Sequence, residues 1–349
     1  MHMADALLSP AVAAAMYVAS GTVAGLSIHK LRKEEDTAHK LPVMAVTAAL
    51  VFAGQMINYT IPGTGSSGHI CGGMLLSALL GPQAGFLSMI VILAIQCLFF
   101  ADGGLMALGA NVWNMAFYGC FVGYYLIWRP LMRSGATDRG KQRLRIILAS
   151  ILGCVVTLQL GAFSVVLETS LSGITDLPFG AFAALMQPIH LAIGLIEGVV
   201  TAAVLVFVYE SRPELICDVR QAEGVTEKRS LKTTVIILAV VTALVGGGLS
   251  LLASSNPDGL EWALFGNQEG GYAANMGLDE EDYGVSSGAA DTAASIQEAT
   301  ALLPDYAFPD SESPAGTTVS GLVGSALVAG VAVLICVVGG FFRKRKKAS

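Results

Sequence analysis

Residues 180–209 read GAFAALMQPIHLAIGLIEGVVTAAVLVFVY, a long apolar stretch with one acidic and no basic residue. About 20 apolar residues are enough for a helix to cross the hydrocarbon core of a bilayer. The stretch therefore predicts a membrane span, bent near Pro188 because proline interrupts helical hydrogen bonding. His190 and Glu197 lie inside it, and polar side chains at such depth are functional candidates by default. His190 has a second interpretation, a hydrogen bond to a neighbouring helix.

The composition of the whole chain is that of a membrane protein. Hydrophobic residues make up 54% of the 349 positions, charged residues only 13%, and the mean hydropathy is +0.66. Soluble domains carry roughly 25% charged residues. The sequence therefore predicts an all-α integral membrane protein. Eight further apolar stretches bring the predicted spans to nine, at 9–28, 42–60, 70–81, 84–100, 111–128, 145–165, 233–253 and 318–342.

The 20 Lys and Arg residues fall into four clusters, at 30–40, 129–145, 212–232 and 343–347. Loops on the cytoplasmic side carry an excess of Lys and Arg. We therefore expect a multi-pass protein of the cell (inner) membrane with its N-terminus outside and its C-terminus in the cytoplasm. Because no Lys or Arg precedes residue 30, the first span lacks the positive region of a signal peptide, and we expect it to be retained.

An acidic outer segment separates the last two predicted spans. Residues 254–316 hold 12 acidic and no basic residues, a composition that predicts a largely flexible, solvated linker. Long-range attraction of cations is a second interpretation. The chain then divides into a seven-helix module at 1–210, a cytoplasmic linker at 211–232, and a two-helix accessory module at 233–349.

The first residues, Met1 and His2, bring nitrogen donors close together. They are the terminal amine, the His2 amide and the His2 imidazole. A planar nitrogen set suits Ni(II) and Cu(II). His69 follows a glycine- and serine-rich stretch at the predicted outer boundary of the membrane and supplies a fourth nitrogen. Metal binding should weaken in acid, because the amine and the imidazoles must lose protons to bind a metal.

Four motifs lie in the first third of the chain: MHMADALL at 1–8, GSSGHICGG at 65–73, DGGL at 102–105 and LGANVWNM at 108–115. They resemble motifs of the CbiM/NikM proteins, the substrate-capture (S) components of energy-coupling factor importers for cobalt and nickel. Their order and spacing make the resemblance specific. Met3, Ala4, Ala6 and Ser66 depart from the family pattern, but none of these changes removes a donor.

A fifth motif resembles a second component of the same importers. Residues 256–261 read NPDGLE, similar to the P-D-G-L-E motif of the accessory N-type modules that are fused to some S components. An ordinary Pro-Asp-Gly turn would explain the letters alone. Their position, directly after the eighth predicted span, favours the accessory module.

The resemblance implies a seven-helix S-component fold with the N-terminus inserted from outside. It implies Ni(II) or Co(II) as the transported substrate, no prosthetic group and no nucleic-acid partner. Met1, His2 and His69 would bind the metal, and Asp102 and Asn111 would orient these ligands, although helix capping or loop structure explains the last two equally well. The partners would be a transmembrane T component and ATPase subunits, since this chain has no G-x-x-x-x-G-K-[ST] phosphate loop.

Two other functional classes remain open at this stage. A membrane metalloenzyme would use His2 and His69 with Glu197 as an acid, and turnover by the isolated chain would reveal it. A stand-alone divalent-cation channel or transporter would move ions without ATPase partners, and an inverted repeat would favour it.

Overall fold

The computed structural model describes residues 1–33, 41–133, 138–174, 177–219, 230–268, 270–272, 276, 278, 283–309, 311 and 313–348. Part of the predicted linker at 211–232 and part of the acidic segment lie outside these residues.

The described structure is almost entirely helical, which confirms the predicted all-α membrane class. A single two-stranded hairpin, with antiparallel strands β1 (Tyr59–Ile61) and β2 (Ser66–Gly68), is its only sheet within the described ranges. The helices are α1 (Pro10–Leu31), α2 (Leu41–Gln55), α3 (Gly73–Leu80), α4 (Pro82–Phe100), α5 (Leu108–Val112), a π-helix (Trp113–Trp128), α6 (Arg129–Arg133), α7 (Arg139–Leu171), α8 (Phe179–Ser211), α9 (Leu231–Gly247), α10 (Gly259–Phe265), α11 (Gly288–Thr300) and α12 (Ala315–Ala348).

Six helices of the described residues are long and apolar enough to cross a membrane, fewer than the nine predicted spans. Two predicted spans are shorter in the structure, because α2 has 15 residues and α3 has 8. The predicted span at 111–128 lies within the continuous helical stretch formed by α5, the π-helix and α6. The division into seven and two spans stays a prediction. The six are Pro10–Leu31, Pro82–Phe100, Arg139–Leu171, Phe179–Ser211, Leu231–Leu252 and Ala315–Ile335.

The helices of the predicted accessory module pack directly on the first module. Both α9 and α12 contact α2, and α12 also contacts α4. Phe52 of α2 is fully buried, and it lies so close to Gly324 of α12 that a Cβ there would overlap its ring. Lipid tails are as apolar as these side chains, so close packing is a main source of attraction between such helices.

Arginines of the second basic cluster form ion pairs with two acidic residues that lie at or near the start of the third cluster. Arg129 and Arg133 pair with Asp218, at 3.6 and 3.0 Å. Arg139 and Arg143, at the start of α7, pair with Glu210 at the end of α8. The contacts agree with the expectation that both clusters lie on the same side of the membrane.

The acidic segment is more ordered than its composition predicted. The prediction of a largely flexible linker is wrong for α10 and α11, which are helical. The reason is local as well as tertiary. Asp258 and Glu261 form a reciprocal capping box at the start of α10, which satisfies backbone N–H groups that a helix start leaves unpaired. Helix α10 then packs against α8 and β2.

Candidate metal site

The N-terminal segment is buried rather than extended into solvent. Met3 and Leu8 are fully buried, and Leu7 is nearly so. Asn111 holds the backbone of Met3 from both sides: its Oδ1 accepts from the Met3 N–H at 2.7 Å, and its Nδ2 donates to the Met3 carbonyl at 3.2 Å. These two hydrogen bonds fix the backbone directly after Met1 and His2.

The loop after α4 carries the predicted orienting carboxylate. Asp102 Oδ1 lies 3.1 Å from Nδ1 of His2. The next residue, Gly103, has φ +78°, and a Cβ there would lie 2.9 Å from Nδ2 of Asn111 and 3.3 Å from the Cβ of His2. Only glycine combines this backbone conformation with so close an approach. The DGGL motif therefore packs its backbone against the N-terminal segment.

His69 directly follows strand β2 of the hairpin, and its ring lies beside the ring of His2. The two imidazole rings stack with their centroids 5.2 Å apart and an angle of 21° between their planes. His69 Nδ1 lies 3.0 Å from the carbonyl of Ile70. A carbonyl can only accept, so this contact assigns the hydrogen to Nδ1. The lone pair of Nε2 is then available to bind a metal ion.

Glu197 fixes the segment that follows His69. Its two carboxylate oxygens accept from the backbone N–H groups of Cys71 and Gly72, at 2.7 and 2.8 Å. The side chain is 1% exposed. Its position explains the polar residue in the middle of a predicted membrane span, because Glu197 holds the backbone just before α3 and ties the His69 loop to α8.

The acidic segment contributes a carboxylate that the sequence reasoning did not include in the site. Asp258 Oδ2 lies 3.0 Å from the amino nitrogen of Met1. Burial raises the pKa of Asp258, but the positive amine, His69 and the hydrogen bonds to the carboxylate together outweigh burial, and the net pKa lies well below its usual range. The negative charge of Asp258, followed by burial, raises the pKa of Glu261 to about 7.

Tyr306, also from the acidic segment, forms a hydrogen bond with Asp102. Its hydroxyl donates to Asp102 Oδ2 at 2.5 Å, and its ring stacks on Phe100. One carboxylate oxygen of Asp102 therefore faces Tyr306 while the other faces His2. Tyr306 belongs to no recognisable sequence motif, so no signal in the sequence pointed to its role. Asp258 belongs to the PDGLE motif, which could have drawn attention to it.

Burial dominates the electrostatics of the two stacked imidazoles. It lowers the pKa of His2, against the opposing effect of Asp102. Burial, the nearby amine and His2 together lower the pKa of His69 to about 4. Metals bind the neutral imidazole, so at neutral pH His69 is already in the form that a metal requires.

A small cavity of about 10 Å³ adjoins the site. Such a space is about enough for one water molecule. In the part of the chain that is described, no three His, Cys, Asp or Glu side chains form a metal-binding group by themselves. The lining residues that bear on metal chemistry are Met1, His69, Cys71, Met115, His190 and Asp258.

The structure brings together every residue that the sequence analysis selected. Met1 and His69 line the cavity, His2 stacks on His69, Asp102 contacts His2 and Asn111 holds Met3. Their roles as metal ligands and orienting groups stay predictions.

A chelate through the His2 amide would close through Nδ1 of the same residue, because Nε2 lies on the far side of the ring. In this structure that Nδ1 faces Asp102, and the amine faces Asp258.

Comparisons with known proteins agree with the resemblance. The putative fused nickel transport protein NikMN of Archaeoglobus fulgidus is 36% identical over 94% of this chain and 95% of its own length. The cobalt transport protein CbiM of Sorangium cellulosum is 33% identical over 62% of this chain and 94% of its own length. A crystal structure of a truncated transition metal transporter superposes with a TM-score of 0.52 at 31% identity, covering 60% of this chain and 99% of that one.

The family comparison covers both parts of the chain. Residues 232–339 match the PDGLE domain, which confirms the accessory-module resemblance. Residues 2–215 match the family described as the cobalt uptake substrate-specific transmembrane region, CbiM. Together with the fold and the arrangement of Met1, His2 and His69, this match shows that the chain is a multi-pass membrane protein of the CbiM family, fused to a PDGLE domain.

Proposed function

We propose that this chain captures Ni(II) or Co(II) outside the cell as the substrate-specific component of an ATP-driven energy-coupling factor importer. The Met1 amine, the His2 amide and imidazole, and the His69 imidazole bind the ion. Asp102 and Asn111 orient these ligands. The ion is the transported substrate rather than a resident cofactor.

The observation that carries this proposal is the convergence of the N-terminus and His69. The two imidazole rings lie 5.2 Å apart, and the Met1 residue that bears the amine lines the same cavity as His69. Amine and imidazole nitrogens are donors that suit Ni(II) and Co(II). The relatives named as nickel and cobalt transport proteins support the choice of ion.

Loading the ion requires a local rearrangement. The His2 ring must turn so that Nδ1 leaves Asp102, and the amine must lose a proton and leave Asp258. The His2 amide must also lose its proton to bind through nitrogen, so loading releases protons. Both carboxylates stay beside the bound ion and balance its charge. Since Asn111 holds Met3 through two hydrogen bonds, the movement is confined to the first two residues.

Energy coupling comes from outside this chain. A transmembrane T component and ATPase subunits supply it, with the N-terminus and the acidic segment outside the cell (inner) membrane and the C-terminus in the cytoplasm. The segregation of basic residues supports this orientation. Proteoliposomes that contain all subunits should accumulate Ni(II) only with internal ATP, whereas this chain alone should not accumulate it.

The direct test is metal binding by the purified chain with His2→Gln. The substitution removes one imidazole donor of the proposed chelate and keeps a polar side chain. Titration calorimetry with Ni(II) and Co(II) should show binding lost or weakened at least a hundredfold. The matched control is His29→Gln, which removes an exposed histidine on α1 and should leave binding unchanged.

Unchanged binding in His2→Gln would rule out the N-terminal chelate. Binding that is lost in His2→Gln and in His69→Gln, but kept in His29→Gln, would support the roles of both imidazoles.

A further inference from the structure

We propose that Gln297 of α11 is a positioning residue for the captured ion, because it holds the loop that presents Asp102 to His2. The inference rests on the proposed function, in which Asp102 orients the His2 ligand. It assigns to the acidic segment a side chain that acts on the site through Asp102 and lies outside the PDGLE motif.

The first observation is the backbone conformation at the end of α4. The chain leaves this helix with φ +55° at Ala101 and +78° at Gly103, on either side of Asp102. A residue other than glycine is disfavoured in this region, so surrounding contacts must hold Ala101 there. The end of a helix also leaves its last carbonyl oxygens without partners inside the helix. The loop that carries Asp102 therefore needs support from groups outside α4.

The second observation is that one side chain supplies three such contacts. Nε2 of Gln297 donates to the carbonyl oxygens of Cys97 at 3.1 Å and of Gly103 at 2.9 Å. Its Oε1 accepts from the backbone N–H of Leu105 at 3.2 Å. Because carbonyls only accept and the N–H only donates, these partners fix the orientation of the amide. Gln297 thus binds the chain both before and after Asp102.

The third observation is that the same loop contacts the N-terminal segment. The backbone N–H of Gly104 donates to the carbonyl of Met3 at 2.8 Å, and Asp102 Oδ1 lies 3.1 Å from Nδ1 of His2. Both contacts reach the part of the chain that bears the candidate ligands. A change at Gln297 is therefore passed to His2 through Asp102.

Docking of the acidic segment on the helix bundle does not depend on Gln297 alone. The backbone N–H groups of Leu302 and Leu303 donate to the carbonyl of Phe99, at 3.0 and 3.2 Å. Their acceptor lies before Asp102 in the sequence, whereas two of the three partners of Gln297 lie after it. Replacing Gln297 should therefore loosen the loop and leave the acidic segment in place.

A double-mutant cycle on the full chain tests the inference. Gln297→Met keeps the length of the side chain but removes its hydrogen bonds, and it should weaken Ni(II) binding about tenfold in titration calorimetry. In the Asp102→Asn background the same change should weaken binding less than about twofold, because residues that act through one another are not additive. The matched control is Glu298→Gln, at the exposed neighbour of Gln297, which should bind Ni(II) as the native chain does.

Gln297→Glu is a second variant of nearly the same shape, in which an oxygen replaces the Nε2 donor, and it should show the same coupling to Asp102. Thermal melting in detergent checks that each variant is folded. Equal losses in the two backgrounds, or native affinity in the Gln297 variants, would overturn the inference, while binding lost in His2→Gln would keep the N-terminal chelate intact. Native affinity in His2→Gln would overturn the proposed function and this inference with it.

Discussion

Asp258 Oδ2 and the amino nitrogen of Met1 form an ion pair at 3.0 Å across 257 positions of sequence. The pair connects the two matched regions of the chain, since Met1 directly precedes the CbiM region at 2–215 and Asp258 belongs to the PDGLE domain. The side chains are 5% and 16% exposed, so the charges are poorly screened by water. The PDGLE domain therefore forms one wall of the candidate site.

Replacing Asp258 by Asn should weaken Ni(II) binding about 10- to 100-fold, the usual effect of losing a group that contacts metal ligands. The change removes negative charge beside the ion and keeps the shape of the side chain. Asn is also a good helix N-cap, so α10 should remain folded. Calorimetry measures the affinity, with Asp291→Asn as the control, because Asp291 is an exposed acid of the same segment. Equal affinities in both variants would contradict the prediction.

Tyr306→Phe should weaken metal binding a few-fold and lower the free energy of unfolding by about 1 kcal/mol, the typical net value of one hydrogen bond. The variant loses the bond to Asp102 but keeps the ring stacked on Phe100. Thermal melting in detergent and Ni(II) titration measure the two effects. Native affinity in a variant that is destabilised as expected would show that Tyr306 serves only the fold.

The metal-free protein should lose stability as the pH falls from about 7 toward 4. Unfolded histidine takes a proton near pH 6.5, whereas burial first, and then the Met1 amine and His2, lower the pKa of folded His69 to about 4. Between these values the unfolded state binds more protons, so the free energy of unfolding decreases with acid. Melting temperatures at pH 7.5, 6 and 5 should fall less in His69→Gln. Parallel curves for the two proteins would argue against a buried neutral His69.

Gly259→Ala should destabilise the protein by about 1–3 kcal/mol, the cost of overfilling a packed site. A Cβ there would lie 2.6 Å from Cγ2 of Ile189 and 3.2 Å from Cε1 of His190. The matched control is Gly288→Ala, where a Cβ meets nothing within 4 Å, so that this variant should be as stable as the native protein. Thermal melting compares the two. Equal stability would mean that α10 can move away from α8 at no cost.

The membrane class followed from the sequence because apolar length and the segregation of Lys and Arg are local properties. The helix bounds were less predictable. The predicted span at 42–60 ends early, at Gln55, and the chain then forms a hairpin. The hairpin is held by Ser67, which donates to the carbonyl oxygens of Pro257 and Asn256. Those partners are distant in sequence, so no local pattern could reveal them.

The sequence by itself determined the family, the candidate donor atoms at Met1, His2 and His69, and the side of the membrane on which they were expected. These features depend on residue type and spacing. Only the tertiary structure decided that Asp258 faces the amine, that Tyr306 holds Asp102, and that Gln297 binds the loop after α4. Each of these contacts depends on how the acidic segment packs against the N-terminus and α4, and burial then sets which charges and polar groups must find partners.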